Sequence, residues 1–273
     1  MTNQETISQR YRDDGFVYPL DGISRQSAQA CRAALERFEA MDDERVEAAW
    51  RARLFELHLL LPQFDALVRS PAVLDAVSQI LGPDLLVWEC NIFLKEPNSA
   101  SFVSWHQDLH YLGLEADDQV NAWVALTDVT QANGCMRMVS GSHRLGDVNH
   151  QDTYAADNVL TRGQVVEADI DESQVANIEL EAGQVSLHHG HVFHASGPNQ
   201  TDARRIGVAI RYIRPSAKQT LVENDCAVLV RGEDRFGHFN LLAPPSQDID
   251  DATIARFGLA RTLREKVYFE GAN

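Results

Sequence analysis

The chain has 273 residues, of which 44% are hydrophobic and 23% charged, a composition typical of a globular protein and unlike that of a disordered or fibrous one. Its 40 acidic residues exceed its 24 basic residues and give a formal net charge of −16. Because such a chain repels phosphate groups, we expect a small-molecule substrate as its partner, and neither nucleic acid nor a membrane.

The first 82 residues are predicted to form a helical layer. One helix is expected after the N-cap Ser24, because the apolar residues that follow recur at spacings of three and four. A second is expected from the N-cap Ser70 and Pro71 to the terminator Gly82. Residues 44–61 are also predicted to be helical, with an end near Pro62.

Beyond Pro83 the hydrophobic pattern changes to a period of two, which is typical of β-strands. Eight short strands without alternating helices predict a sandwich or jelly roll and exclude a βαβ fold. The predicted strands are residues 85–95, 102–108, 120–129, 135–139, 176–181, 184–194, 205–213 and 226–230.

These elements predict a single catalytic domain over residues 1–273. It would consist of the helical layer at 1–82, a jelly-roll core at 83–231 and a C-terminal extension at 232–273 with a short helix around 251–266. The polar segment 141–175 interrupts the strand series and is too long for a turn, so we expect it to be a lid-like insertion that contacts the substrate.

The cysteines and the N-terminus indicate a cellular location. The four cysteines stand far apart without a C-x-x-C pair, which predicts reduced, mostly buried thiols and no disulfide framework. The N-terminal segment is polar without the apolar core of a signal peptide, and no run of eighteen apolar residues occurs. We therefore expect a soluble, cytoplasmic protein.

The histidines contain a candidate metal site. His106 and Asp108 lie two residues apart in a predicted strand, so both side chains should project from one face. One of the histidines at 188, 189, 191 and 194 would complete a triad of two histidines and one carboxylate, which leaves three metal positions open. Periodicity leaves open which one, since 188 and 194 share one strand face and 189 and 191 the other. The alternative interpretation is that all of these are packing residues.

Four motifs, in this order and spacing, resemble those of the phytanoyl-CoA dioxygenase family of iron(II)- and 2-oxoglutarate-dependent oxygenases. They are W-H-Q-D-x-x-Y at 105–111, A-W-V-A-L-T-D at 122–128, N-G-C-M-R-M-V-S-G-S-H-R at 133–144, and H-A-S-G-P-N followed by an arginine at 194–205. The resemblance covers about residues 10–215. It implies a mainly β fold with N-terminal helices, namely a double-stranded β-helix, or cupin-like jelly roll. It also implies that His106, Asp108 and His194 are the iron ligands.

The resemblance further implies that Arg205 binds the distal carboxylate of 2-oxoglutarate and that Ser196 and Trp123 contact this co-substrate. The residue type suits that role, because an arginine donates two parallel hydrogen bonds to a carboxylate. Gly207 and Ala209 follow on the same strand face and are small enough to leave room for a ligand. The alternative interpretation of Arg205 is an ordinary surface charge.

Family members that halogenate carbon replace the metal-binding carboxylate by a small residue, whereas this chain keeps Asp108. The resemblance therefore predicts a hydroxylase that uses O2, acts on an unactivated carbon of a small molecule, and releases succinate and CO2. The candidate substrate contacts are Asn91, Lys95, His110 and Tyr111. Two alternatives are a non-catalytic metal-binding jelly roll and a cupin enzyme that does not use 2-oxoglutarate.

Overall fold

The computed structural model describes residues 6–41, 54–114, 118–160, 162–247 and 249–269, with the backbone alone at 111 and 269. The helices in these ranges are α1 (Ile7–Asp14), α2 (Arg25–Glu39), α3 (Pro62–Val68), α4 (Pro71–Leu81) and α5 (Asp251–Phe269). The strands are β1 (Phe16–Asp21), β2 (Leu85–Lys95), β3 (Val103–His106), β4 (Gln119–Ala125), β5 (Met136–Val139), β6 (His150–Asp152), β7 (Gln164–Val166), β8 (Val175–Ile178), β9 (Gln184–His188), β10 (His194–Ser196), β11 (Arg205–Ile213), β12 (Cys226–Arg231) and β13 (Asn240–Leu241).

Two sheets form the frame of the molecule. The large sheet has seven strands in the order β1-β9-β4-β11-β2-β12-β13, and the small sheet has four in the order β3-β10-β5-β8. A buried apolar cluster joins Trp123 and Ala125 of the large sheet to Met136, Met138 and Ile178 of the small one, so the two inner faces pack together. From β2 to β5 and again from β8 to β11, consecutive strands alternate between the two sheets, which confirms the predicted jelly roll.

The two faces of the large sheet differ in chemistry. One face carries apolar residues such as Ile92, Val124 and Val208, which pack in one core with the helices, including the α2 residues Leu35 and Phe38. Burial of this apolar area stabilises the fold. The other face looks toward the small sheet and carries polar and charged side chains, which are described below. The period-two pattern of the sequence therefore separates the structural face of each strand from the face that lines a site.

The N-terminal layer is not wholly helical, which corrects the prediction for residues 1–82. Phe16–Asp21 form β1, which pairs with β9 at the edge of the large sheet. A strand this short depends on its distant partner and has little signal of its own. The predicted helices at 25–39 and 71–81 are confirmed, and the Ser24 hydroxyl accepts a hydrogen bond from the Ser27 amide at 3.0 Å.

The predicted helix at 44–61 falls partly on residues 42–53, which lie outside the described ranges. In the described part the prediction is wrong, since Phe55 pairs with Asn91 as an isolated bridge and Leu57–Leu59 form a single 3-10 turn. Helix α3 then begins at Pro62 instead of ending there. Proline lacks an amide hydrogen and is therefore suited to the first position of a helix.

The predicted strand at 184–194 is in fact two strands in different sheets. β9 ends at His188, and the chain crosses through residues 189–193 to β10 in the small sheet. Gly190 permits the crossing, because a Cβ at this position would overlap the side chains of Leu109 and Gln119. His188 and His194 consequently lie on opposite sheets, and the strand-face argument that grouped them does not apply.

The insertion and the extension both fold onto the jelly roll. Residues 141–175 contain a 3-10 turn at Ser142–Leu145 and the paired strands β6 and β7, so the segment has more regular structure than a polar loop. In the extension, the expected helix around 251–266 is observed as α5 and buries Phe257 and Val267. Both segments reach the cavity described below.

The four cysteines lie in the interior of the protein. Cys31, Cys90, Cys135 and Cys226 are all buried and free. Burial raises the pKa of Cys31 to about 12, so this thiol stays protonated at neutral pH. Among the described helices, none combines the length and the apolar character needed to cross a lipid bilayer.

Candidate metal centre and co-substrate pocket

The structure brings His106, Asp108 and His194 together between the two sheets. His106 at the end of β3 pairs directly with His194 of β10, and their ring centroids are 4.0 Å apart. Asp108 Oδ1 lies 3.4 Å from His106 Nε2 and 3.6 Å from His194 Nε2. One donor atom from each residue lies within 4.8 Å of the others, a spacing that suits the binding of one metal ion.

The expected common strand for His106 and Asp108 is wrong. β3 ends at His106, and Asp108 has helical backbone angles, φ −68° and ψ −41°, at the start of the 3-10 turn Leu109–Tyr111. The intervening Gln107 fixes this turn, because its side-chain amide donates to the carbonyls of Gly146 at 2.7 Å and His191 at 2.8 Å. The carboxylate thus reaches the histidines by a turn of the chain and not by strand alternation.

Backbone carbonyls orient both histidines. His106 Nδ1 is 2.9 Å from the Ser104 oxygen, and His194 Nδ1 is 3.0 Å from the Val192 oxygen. In the tautomer that donates Nδ1–H to these carbonyls, Nε2 keeps its lone pair toward Asp108. Burial, together with the nearby His106, lowers the pKa of His194 to about 3, so its ring is neutral at physiological pH.

Asp108 is ionised at neutral pH. Burial opposes its charge, but the surrounding side chains, His194 first and also His106, His188 and Arg211, hold the pKa of Asp108 well below its usual range. Two imidazoles and one carboxylate are a donor set that suits a divalent transition metal such as iron(II). The residues present therefore fit the metal that the motifs imply.

A second group of possible metal ligands, His110, Asp147 and His150, lies nearby. Its chemistry is less suitable, because both ring nitrogens of His150 are engaged. Nδ1 is 2.8 Å from the Val148 carbonyl oxygen, and Nε2 accepts a hydrogen bond from the backbone N–H of Gln107 at 3.0 Å. Through its hydrogen bond to Gln107, His150 therefore connects the insertion with the turn that contains Asp108.

Arg205 lies at the start of β11 and lines the same cavity as the triad. It is only 3% exposed, its Cζ is 5.4 Å from the Trp123 ring centroid, and its Nε has no hydrogen-bond partner among the described residues. Burial lowers the pKa of Arg205 to about 10, so the side chain stays positive at neutral pH. A buried cation with an unused donor is suited to an anionic ligand. The Trp123 ring occupies the space over Gly207, where a Cβ would overlap the indole.

Lys95 lies behind Ser196 next to this end of the cavity and is not itself one of the lining residues. It pairs with Arg205 across the sheet and is 1% exposed, so it is not a surface lysine. Its Nζ donates to the hydroxyl of Ser196 at 2.8 Å, and Ser196 itself lines the cavity. Burial, with a contribution from Arg205, lowers the pKa of Lys95 to about 7. The residue expected to contact the substrate therefore lies beside the expected co-substrate residues.

The opposite wall of the cavity combines distant parts of the chain. Glu89 and Asn91 come from β2, Leu160 from the insertion and Phe55 from the segment before α3. Tyr268 of α5 completes this wall, and its hydroxyl donates a hydrogen bond to Glu89. The sequence analysis did not identify Glu89 or Tyr268, because α5 is more than a hundred residues from β2 and only the fold places them side by side.

The remaining substrate candidates divide into three cases. Asn91 lines the cavity, and its buried Oδ1 has no hydrogen-bond partner within the described chain. His110 turns away and binds the insertion, with its Nδ1 2.7 Å from an Asp147 oxygen. The side chain of Tyr111 lies outside the described part. Asn91 is therefore the best placed of the four expected substrate contacts.

Comparisons with known proteins agree with the motifs. The sequence profile of the phytanoyl-CoA dioxygenase (PhyH) family matches residues 11–207. A "Probable alpha-ketoglutarate-dependent hypophosphite dioxygenase" of Stutzerimonas stutzeri is 30% identical over 162 residues, which are 59% of this chain and 56% of that protein. An L-proline trans-4-hydroxylase of Streptomyces griseoviridis is 27% identical over 165 residues, 54% of this chain and 62% of the relative. The matches thus span less than two thirds of these curated relatives.

Solved structures match over a longer range. The apo form of ThoJ, a non-heme monooxygenase, is 40% identical with a TM-score of 0.87, covering 97% of this chain and 98% of ThoJ. The nickel complex of ThoJ is 37% identical with a TM-score of 0.81, covering 97% and 99%. The family match itself includes the triad and Arg205 and extends over more than half of the sequence. The chain therefore belongs to the phytanoyl-CoA dioxygenase family.

Proposed function

We propose that this protein is an iron(II)- and 2-oxoglutarate-dependent dioxygenase that hydroxylates a carbon of a small molecule and releases succinate and CO2. The observation that carries this proposal is the presence, in one cavity, of a two-histidine, one-carboxylate cluster and a buried arginine without a carboxylate partner in the described chain. Its cofactors are iron(II) and 2-oxoglutarate, with O2 as the second co-substrate.

Nε2 of His106, Nε2 of His194 and Oδ1 of Asp108 would hold the metal. When bound, iron and 2-oxoglutarate supply the oxygen-activating chemistry that protein side chains lack. The side chains supply orientation, because the carbonyls of Ser104 and Val192 keep both imidazoles turned toward the site. Asp108 favours hydroxylation over halogenation, since a halide ligand would need the place that this carboxylate takes.

Arg205 would bind the distal carboxylate of 2-oxoglutarate, and its position beneath the Trp123 ring fixes the guanidinium. Lys95 and Ser196 lie beside it and are joined by a hydrogen bond. A dicarboxylate needs such concentrated positive charge in a protein whose net charge is −16. We therefore assign Lys95 to this co-substrate end of the cavity.

The substrate would bind between the triad and the wall of Phe55, Glu89, Asn91 and Tyr268. Asn91 offers a buried carbonyl oxygen without a partner among the described residues, so a substrate hydrogen-bond donor would satisfy it. The insertion closes the cavity from another side with Val159, Leu160 and Gln164. In this proposal the helical layer, jelly roll, insertion and extension act as one catalytic domain.

Anaerobic addition of Fe(II) and 2-oxoglutarate tests the co-substrate site. The unaltered protein is expected to develop a weak visible charge-transfer band, which His194→Ala should lose and Arg205→Ala should show only at raised 2-oxoglutarate concentration. Arg204→Ala is a matched control, because Arg204 lies next in the chain but binds Glu39 and Glu96 outside the cavity. Absence of the band in the unaltered protein would contradict the proposal.

Turnover tests the reaction type. A panel of small metabolites is screened for substrate-dependent release of succinate under air, and the products are analysed by mass spectrometry. A product with one added oxygen atom is expected, and His106→Ala should release no succinate. A chlorinated product in the presence of chloride would contradict the hydroxylase assignment. Substrate oxidation without 2-oxoglutarate would favour the alternative cupin chemistry.

A further inference from the structure

The two oxygens of the Asp108 carboxylate have different surroundings. Oδ1 faces the Nε2 atoms of His106 and His194. Oδ2 accepts a hydrogen bond from the side-chain amide of Asn121. His188 Nε2 and Arg211 Nη2 each lie 3.6 Å from the same Oδ2. One oxygen therefore faces the metal ligands, and the other is surrounded by potential donors of a different sheet.

These three donors and Glu89 form one row across the large sheet, which we call the sheet row: His188, Asn121, Arg211 and Glu89. The register pairs His188 with Asn121, Asn121 with Arg211, and Arg211 with Glu89 on neighbouring strands. Directly paired residues project from the same face with Cβ atoms about 5 Å apart. The position of the row is therefore set by the hydrogen-bond ladders of four strands and not by a loop.

All four residues of the sheet row are buried. Arg211 is held at both ends, because its Nη1 donates to Gln119 Oε1 at 3.2 Å and its Nε lies 3.7 Å from Glu89 Oε2. The Glu89 charge offsets that of Arg211, which permits a guanidinium at this depth. The row thus presents its donors to Oδ2 from fixed places.

We infer that the sheet row makes Asp108 a one-oxygen metal ligand by retaining Oδ2. This inference rests on the proposed function, since it concerns the same metal centre. Carboxylates bind metals through one oxygen or through both. If Oδ2 were released, the carboxylate could turn and occupy a second metal position. That position is one of the three that a facial triad leaves open for the co-substrate and dioxygen. Asn121, Arg211 and His188 are therefore positioning residues.

The test uses Co(II) as the metal probe and Asn121→Leu as the variant. Leucine is close to asparagine in size and removes the hydrogen bond to Oδ2. The visible absorption of bound Co(II) depends on the number and arrangement of its ligand atoms. We expect an altered Co(II) spectrum and an affinity of the Co(II) protein for 2-oxoglutarate that is about 10- to 100-fold weaker, by titration calorimetry. Neither readout requires the substrate or turnover.

Two comparisons separate positioning from general damage. Asn177→Leu makes the same exchange on β8, where Asn177 pairs with Arg137 and does not line the cavity, and should leave both readouts unchanged. Arg211→Lys keeps a positive donor and should resemble the unaltered protein more than Arg211→Leu does. Near-ultraviolet circular dichroism verifies the fold. If Asn121→Leu does not fold, Asn121→Ala removes the same donor with a smaller side chain.

The outcomes distinguish this inference from the proposed function. An unchanged Co(II) spectrum with 2-oxoglutarate affinity within about twofold in a folded Asn121 variant would overturn the role of the sheet row. His106→Ala and His194→Ala should both lose Co(II) affinity. If they bind Co(II) as tightly as the unaltered protein, the metal centre itself is wrongly assigned. If only these histidine variants are affected, the metal centre stands and the inference fails.

Discussion

At the scale of single residues, Arg205 determines which ligand charge the cavity accepts. Lysine would keep the charge but lose the planar pair of donors that suits a carboxylate. We expect Arg205→Lys to weaken 2-oxoglutarate binding by about 10- to 100-fold in the metal-loaded protein, measured by calorimetry. Arg204→Lys is the control, since Arg204 binds Glu39 and Glu96. If Arg205→Lys binds 2-oxoglutarate as tightly as the unaltered protein does, the co-substrate carboxylate is bound elsewhere.

The charge of Lys95 is expected to make the affinity for 2-oxoglutarate depend on pH. Burial and Arg205 lower the pKa of Lys95 to about 7, so its positive charge is lost as the pH rises through this value. A dianionic ligand binds better when Lys95 is charged. Affinity for 2-oxoglutarate should therefore fall between about pH 6 and about pH 8, by at most about tenfold per pH unit above the pKa. Lys95→Met should bind weakly throughout and flatten this dependence. The same slope in the variant would exclude Lys95 as its cause.

Gly207 shows how an absent side chain shapes the pocket. A Cβ at this position would overlap the Trp123 indole, which lies beside Arg205. We expect Gly207→Ala to lower the free energy of unfolding by about 1–3 kcal/mol, because the ring must move in a filled interior. Chemical denaturation measures this change. Gly197→Ala is the control, since a Cβ there meets no atom within 4 Å. Similar stabilities of the two variants would contradict the argument.

At the scale of secondary structure, α5 is anchored by buried charges. Arg264 Nε lies 3.3 Å from Glu56 Oε1, and its Cζ is 3.9 Å from the Trp88 ring centroid. Asp225 contacts both Trp88 and Arg264: its carboxylate accepts a hydrogen bond from the Trp88 indole at 2.6 Å and forms an ion pair with Arg264. This network holds the helix whose last turn carries Tyr268 into the cavity wall.

Removing that arginine leaves the buried Asp225 carboxylate without its counter-charge. Arg264→Met is expected to lower the free energy of unfolding by about 3–5 kcal/mol, measured by urea denaturation. Arg235→Met is the matched control, because Arg235 pairs with Glu233 at the exposed surface, where an ion pair contributes less than about 1 kcal/mol. If Arg264→Met lowers the free energy of unfolding no more than Arg235→Met does, α5 is held by apolar packing alone.

The elements that the sequence predicted well are those with strong local periodicity. β2 and β11 are long strands in the middle of the large sheet, and their observed bounds are the predicted 85–95 and 205–213. β1 was not predicted, because its six residues form a strand by pairing with the distant β9 and have little periodicity of their own. Periodicity predicts a single strand over 184–194, because it carries no information about which sheet a strand joins.

At the scale of the whole molecule, the net charge of −16 opposes the approach of a dianion. Salt screens this long-range repulsion, whereas the buried Arg205 is screened much less. The association rate constant of 2-oxoglutarate should therefore rise, by about two- to fivefold, as the salt concentration increases from about 20 to about 200 mM. Stopped-flow fluorescence of the tryptophans measures it, and NaCl is compared with KCl to exclude a specific ion effect. A rate constant that falls with salt would show that local positive charge dominates.

The class of the protein follows from local features of the sequence. Its motifs, its strand periodicity from residue 85 onward and the retained Asp108 are local features, because each depends on residues close together in the chain. The motifs imply His194, but periodicity does not separate it from His188. The fold places His194 beside His106 and Asp108, and His188 on the opposite sheet. It alone placed Lys95 beside Arg205 and Tyr268 beside Glu89. The physical reason is that strand pairing and helix docking bring together residues that are distant in sequence, and spacing along the chain does not encode those contacts.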